Sequence, residues 1–186
     1  MIVAVNVPRL PLLVALLRAR RPLDAPVALG PAPGSPQVVG LCTPAAEACG
    51  VRPGLRVGEA LARCPDLDLV VADPGAAAEA AERTLERLEA SGFAVEQMGL
   101  DGAAFDARGT LRLHGGPEGV LRRVRAALPV GADGRVGAAP TLSAALQAAR
   151  EAVPGRPLVL SEGEVVDFLA PRSADSGARK RSLIHI

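Results

Sequence analysis

Between Phe93 and Gly116 the chain reads FAVEQMGLDGAAFDARGTLRLHGG, with an Asp101-Gly102 pair set between two runs in which apolar residues alternate with others. Alternation puts successive side chains on opposite faces of a strand, and Asp-Gly between two such runs is a strong short-hairpin signal. A hairpin here fixes two neighbouring strands, and the rest of the chain must supply what packs on them. It also sets the Asp101 carboxylate at the tip, where it serves either as a plain turn residue or as a metal ligand. Spacing alone leaves both readings open.

The segments around the hairpin define a fold class. Ile2 to Val7 is β-branched and apolar, a buried strand stopped by Pro8, and Pro11 opens a helix that runs to Arg20. Val27 to Leu29 and Gln37 to Leu41 read as short strands around a Gly/Pro-rich turn. Two short helices follow, Pro44 to Cys49 and Val57 to Cys64, then an apolar run from Leu67 to Val71. Asp73-Pro74 caps the longest helix, on which Ala77, Ala81, Leu85 and Leu88 share one face and Glu82, Arg83, Glu86 and Arg87 lie largely opposite. After the hairpin come a helix at Pro117 to Leu128, a strand at Arg135 to Ala139, a helix at Thr141 to Ala152 and a strand at Leu158 to Leu160. The order predicts an α+β, ferredoxin-like β-α-β-β-α-β domain built from residues 1–10 and 74–166, with a small α/β subdomain inserted at 11–73.

Composition narrows the functions open to such a fold. Aromatic residues make up 2% of the chain, with no Trp or Tyr, so the aromatic platforms on which single strands usually stack are missing. The net charge of +1 gives no global attraction to nucleic acid, and any contact must be local. Arg112, Arg122, Arg123 and Arg125 are the candidates for touching a phosphate backbone, against the plainer reading of a solvated helix face. Cys42, Cys49 and Cys64 match no zinc spacing and are odd in number, so they read as buried small hydrophobes in a reducing, cytoplasmic setting. The apolar run Leu10 to Leu17 is too short to span a bilayer and lacks the features of a signal peptide. Gly50, Gly54 and Gly58 precede no Gly-Lys-Ser/Thr, which excludes a phosphate loop. His114-Gly115-Gly116 has no Gly-x-Ser-x-Gly to serve, so a serine hydrolase is unsupported and His114 reads as a strand-end residue.

Taken in order, GVRPGLRVGEALARCPDL, a helix, VEQMGLDGAAFD, a Gly-Gly-led helix and VGAAPTLSAALQAAR resemble the palm and fingers of Y-family DNA polymerases over residues 1 to about 170. FLAP at Phe168 to Pro171 resembles the start of that family's thumb. The resemblance is closest to the ImuB-type branch, polymerase-like proteins of mutagenic translesion synthesis. Active members hold two magnesium ions with carboxylates from an Asp-x-Asp on the first strand and an Asp-Glu at the hairpin, because two adjacent cations need ligand charge to offset their repulsion. Carried over position by position, those ligands fall on Asn6, Pro8, Asp101 and Gly102, so one charged ligand remains. The fingers Tyr and Arg that grip a triphosphate fall on Pro44 and Glu47, and the palm Lys falls on Leu146.

The resemblance therefore implies a catalytically silent adaptor in DNA-damage tolerance, with no metal cofactor and with a vestigial Asp101. Its implied partners are the sliding clamp, a small RecA-like accessory protein and an error-prone replicative-type polymerase, with DNA as a further candidate and no membrane. Two alternatives stand beside it. One is an active error-prone polymerase fragment using Mg2+; the other is an unrelated ferredoxin-like binding module, which predicts Asn6 and Asp101 far apart. Residues 167–186 read as a truncated thumb start followed by a tail, RSADSGARKRSLIHI, that is not native sequence.

Overall fold

The computed structural model describes residues 1–129 and 133–170. The tail expected after Pro171 lies outside the described residues. A five-stranded sheet is ordered β4-β5-β1-β6-β7, and its parts are β1 (Ile2–Asn6), β4 (Glu96–Gln97), β5 (Gly102–Asp106), β6 (Arg135–Ala139) and β7 (Leu158–Val159). The first strand is central, antiparallel to both β5 and β6, while β7 adds parallel to β6. With α4 (Pro74–Ala90) and α5 (Pro117–Ala127) as crossovers, β1-α4-β4-β5-α5-β6 is the ferredoxin-like order.

The two faces of the sheet are packed differently because β1 alternates. Val3 and Val5 enter a core shared with Leu88 of α4 and with Val120 and Val124 of α5. In that core Phe93 stacks on Phe105 with ring centroids 4.3 Å apart, so two of the three Phe residues sit against each other. Ala4 faces the other way, against α6 (Leu142–Glu151), whose Ala144, Ala145, Ala148 and Ala149 are fully buried. Alanines on one side and Gly137 on the other let the helix backbone come down onto the sheet. Asp73 accepts a hydrogen bond from the Ala76 amide at 2.8 Å, capping α4 as its sequence predicts, a contact worth about 1 kcal/mol.

The first helix, α1 (Leu10–Ala19), joins two cores. Leu10 and Val14 belong to the core beneath α4, whereas Leu12, Ala15 and Leu16 pack on β2 (Val27–Leu29) and β3 (Asp68–Val70), a separate parallel pair. Between those strands run α2 (Pro44–Ala48) and α3 (Val57–Arg63). Thr43 fastens α2 to β2: its hydroxyl donates to the Ala25 carbonyl at 2.7 Å and accepts from the Val27 amide at 3.0 Å.

Four local expectations are corrected. Gln37 to Leu41 is not a strand; the neighbourhood makes only single bridges, Val38 to Arg56 and Cys42 to Ala28, because its prolines and glycines leave no continuous ladder. The alternation in Leu111 to His114 does not continue the sheet. Asp106 instead accepts from the Arg108 amide and Thr110 donates to the Ala107 carbonyl, closing successive turns in which His114 tilts against Phe93 at 4.9 Å. Arg108 beside Asp106 also holds that carboxyl down to a pKa of about 2.

The other two corrections are an added helix and an exposed thiol. An eight-residue helix, α7 (Glu162–Leu169), follows β7, started by a reciprocal capping box between Ser161 and Glu164. Cys49 is exposed, because α2 stops one residue before it; Cys42 and Cys64 are buried. Burial raises the pKa of the Cys42 thiol, with Glu47 adding to it against Arg9 and Arg52, and burial raises Cys64 as well, helped by a hydrogen bond with Cys49. Only the thiolate is a good nucleophile. Maleimide labelling of the folded chain is therefore expected to stop at one equivalent, on Cys49, with the other two reacting only after denaturation; mass spectrometry of timed digests reads the result.

Candidate functional site

The end of β1 brings the predicted residues together. Asn6 lies in register between Gly102 of β5 and Arg135 of β6. Its amide nitrogen donates to both the carbonyl and the carboxylate Oδ2 of Asp101, each at 3.3 Å. The Val7 amide reaches the same Asp101 carbonyl at 2.7 Å, so the main chain of the β4–β5 loop is tied to the end of the central strand. Asn6 and Asp101, 95 residues apart in sequence, are direct neighbours, contrary to what an unrelated module predicts.

The hairpin differs from a two-residue Asp-Gly turn. Gln97 pairs with Ala103 and the Met98 amide donates to the Gly102 carbonyl at 2.8 Å, which makes Gly99, Leu100 and Asp101 the loop. Gly99, at φ 78°, supplies the left-handed residue that reverses the chain. Gly102 is already inside β5. Its lack of a side chain serves close approach: a Cβ there would stand 2.7 Å from the Met98 carbonyl oxygen and 3.4 Å from that of Val5. Both obstacles are backbone, so any side chain at 102 requires the loop to move.

These groups do not fit a pair of divalent cations. Asp101 is exposed and offers one carboxylate, whereas Pro8 and Gly102 offer no side-chain oxygen. Asn6, hydrogen-bonded to Asp101 through its side-chain amide, brings no negative charge to the corner. Arg135, beside Asn6 in the register, adds positive charge; its guanidinium donates to the Arg150 carbonyl at 2.8 Å. Among the described residues no group of three or more His, Cys, Asp or Glu side chains is arranged to hold a metal.

Pro44 and Glu47 both lie on α2. Pro44 opens α2 as an exposed N-terminal proline. Glu47 is held by Arg9, whose Nη2 lies 2.9 Å from both carboxylate oxygens in a half-buried pair. Arg9 adopts a left-handed backbone, φ 61°, directly after Pro8. That conformation costs of order 1 kcal/mol in a residue with a Cβ. The bridge ties the turn after β1 to the inserted segment. Nothing in the spacing of residues 38 apart announces it, and sequence reasoning missed it.

Leu146, on α6, is half-buried and packs, as Met98 and Phe168 do, against the alanine-rich core. Arg122, Arg123 and Arg125 are exposed on α5, and Arg112 is exposed in the turns before it. Among the described residues no helix is long and apolar enough to cross a membrane.

The sequence model of the impB/mucB/samB family matches residues 12–150. The chain belongs to this family. Solved structures agree on the fold of this impB/mucB/samB member. Those described as a Dbh ternary complex with partially disordered substrates and as DinB from Sulfolobus solfataricus superpose with TM-scores of 0.75 and 0.75, at 21% and 22% identity. Each comparison covers 91% of this chain, but 50% and 51% of the other. A Y-family DNA polymerase chimera of Dbh and Dpo4 gives a TM-score of 0.71 at 21% identity, over 91% of this chain and 51% of that one. The chain thus has a Y-family polymerase-like fold and spans about half the length of these relatives. A comparison with curated proteins gives no match.

Proposed function

We propose that this chain is the palm and fingers part of a non-catalytic, ImuB-type Y-family protein acting as an adaptor in translesion synthesis and damage-induced mutagenesis. The observation that carries the reading is the contact between Asn6 and Asp101: of the four positions that correspond to the family's metal-binding carboxylates, an uncharged amide sits against the one carboxylate that remains. The Arg9–Glu47 bridge supports it, because it spends on an internal ion pair the position from which a triphosphate would be gripped. In this role the sliding clamp, a RecA-like accessory protein and an error-prone replicative-type polymerase are its partners, in the cytoplasm. Arg112, Arg122, Arg123 and Arg125 supply weak contact with a DNA backbone.

Primer extension tests the proposal. With a primed template, all four nucleotides and Mg2+ or Mn2+, the chain is expected to add no nucleotide above a no-protein control. The competing reading, an active polymerase fragment, draws on the retained, exposed Asp101. Extension by the wild-type chain that disappears in Asp101→Ala would establish that reading and end ours.

A further inference from the structure

Away from the Asn6–Asp101 corner, α1 and α4 lie side by side and leave a groove of about 480 Å³ between them. Its floor is aliphatic, with Leu13, Leu17, Leu23 and Ala80 among the lining. Leu17 is 79% exposed and Leu23 50%, an unusual position for two leucines beside the same depression. The rim has the opposite character. Arg18, Arg21, Arg83 and Arg87 surround the floor, and Glu79 is the single carboxylate in the lining.

Three of those arginines already hold carboxylates: Arg18 pairs with Asp73, Arg21 with Asp68 at 2.6 Å and Arg83 with Glu79 at 3.6 Å. A guanidinium carries five N–H donors, more than one carboxylate can use, so every one of these groups can take a second acceptor. The four guanidiniums outnumber the three carboxylates paired with them, so the rim keeps a net positive charge and favours a ligand that is apolar in its middle and acidic at its edges.

We propose that this groove docks an acidic amphipathic helix of a partner protein. The occupant is a helix because neither wall offers a free strand edge to an extended peptide, and a helix satisfies its own backbone. The ten residues of α1 give the groove a length of about 15 Å, enough for two to three turns and for apolar anchors at i, i+3 or i+4, and i+7. The proposal does not depend on whether the Asp101 corner is silent.

The test uses two fluorescent synthetic helices of about 14 residues with leucine at the anchor spacing. In one every flanking residue is Glu, and in the other every one is Lys. Titrated with the 186-residue chain, the acidic helix binds with an affinity near the micromolar range, weakening as salt rises, and the Lys twin does not bind. Leu17→Asp and Leu23→Asp each cost about tenfold. Both sites are exposed, and an unchanged circular dichroism spectrum verifies that the variants fold. Arg83→Glu combined with Arg87→Glu transfers the preference to the Lys twin. Equal binding of both helices overturns the proposal, as does no binding of the acidic one at millimolar protein. So does affinity of anionic phospholipid vesicles or duplex DNA, in place of the peptide, that is lost in the leucine variants.

Discussion

Gly137→Ala is expected to destabilise the chain by about 3 kcal/mol or more, at the upper end of what overpacking costs. Gly137 lies in β6, paired with Ala4 on one side and Leu158 on the other, with α6 directly above it. A Cβ at this position would collide with the Ala149 amide nitrogen, and it would stand 2.5 Å from the Ala145 carbonyl oxygen and 2.7 Å from the Ala148 carbonyl carbon. All three are main-chain atoms of a helix, so no side chain can rotate away to make room. The only relief is to lift α6, which exposes the four alanines that form the contact. Ala145→Gly is the control, since it leaves that approach open and costs the helix-propensity difference and one buried methyl, about 2 kcal/mol together. Urea denaturation followed by circular dichroism separates the two: a midpoint for Gly137→Ala no lower than that of the control would refute the close-packing account.

Phe93→Ala is expected to cost about 3–5 kcal/mol, the usual range for removing a buried aromatic ring. Phe93 is 3% exposed, lies just beyond the end of α4 and fills the space between that helix and the sheet. Its ring carries two further contacts, the stack on Phe105 and the tilted approach to His114. Phe93→Leu keeps most of the volume and loses the stacking, so it is expected to recover more than half of the deficit. Equal stability of the alanine and leucine variants would mean that filling the space is not what matters at this position.

The fold was legible where one physical rule acted alone. Val27–Leu29 and Arg135–Ala139 were read to the residue, since short apolar runs bounded by Gly and Pro had no competing interpretation. The face of α4 carrying Ala77, Ala81 and Leu88 followed from the helical period, and Asp73-Pro74 marked its start. The errors arose where local hydrogen bonding competed with periodicity. Leu111–Leu113 alternates like a strand, but the Asp106 and Thr110 side chains close turns there first. Asp101-Gly102 looked like the turn itself, yet Gly99 supplies the reversal and Gly102 is spent on letting Met98 approach. The capping box at Ser161 was in plain view in Ser-Glu-Gly-Glu and would have announced α7.

At the candidate site, the identities of Asn6, Pro8, Asp101 and Gly102 were readable, and so was their deficiency in charge. Their geometry was not. That Asn6 presents its donor to Asp101, and that Arg135 stands beside it, depends on strand register. That Arg9 takes hold of Glu47 depends on how the inserted segment folds back over 38 residues. Tertiary contacts of this separation leave no periodic trace in a sequence.

The end of β1, with Asp101 as its one carboxylate, is expected not to bind divalent metal. Titrating Mn2+ into the 15N-labelled chain and following paramagnetic broadening of the Asn6, Val7, Asp101 and Gly102 amides tests it directly. The predicted result is broadening that stays weak and does not saturate into the millimolar range, unchanged in Asp101→Ala. Saturable broadening centred on those four amides at micromolar Mn2+, lost in Asp101→Ala, would contradict that expectation.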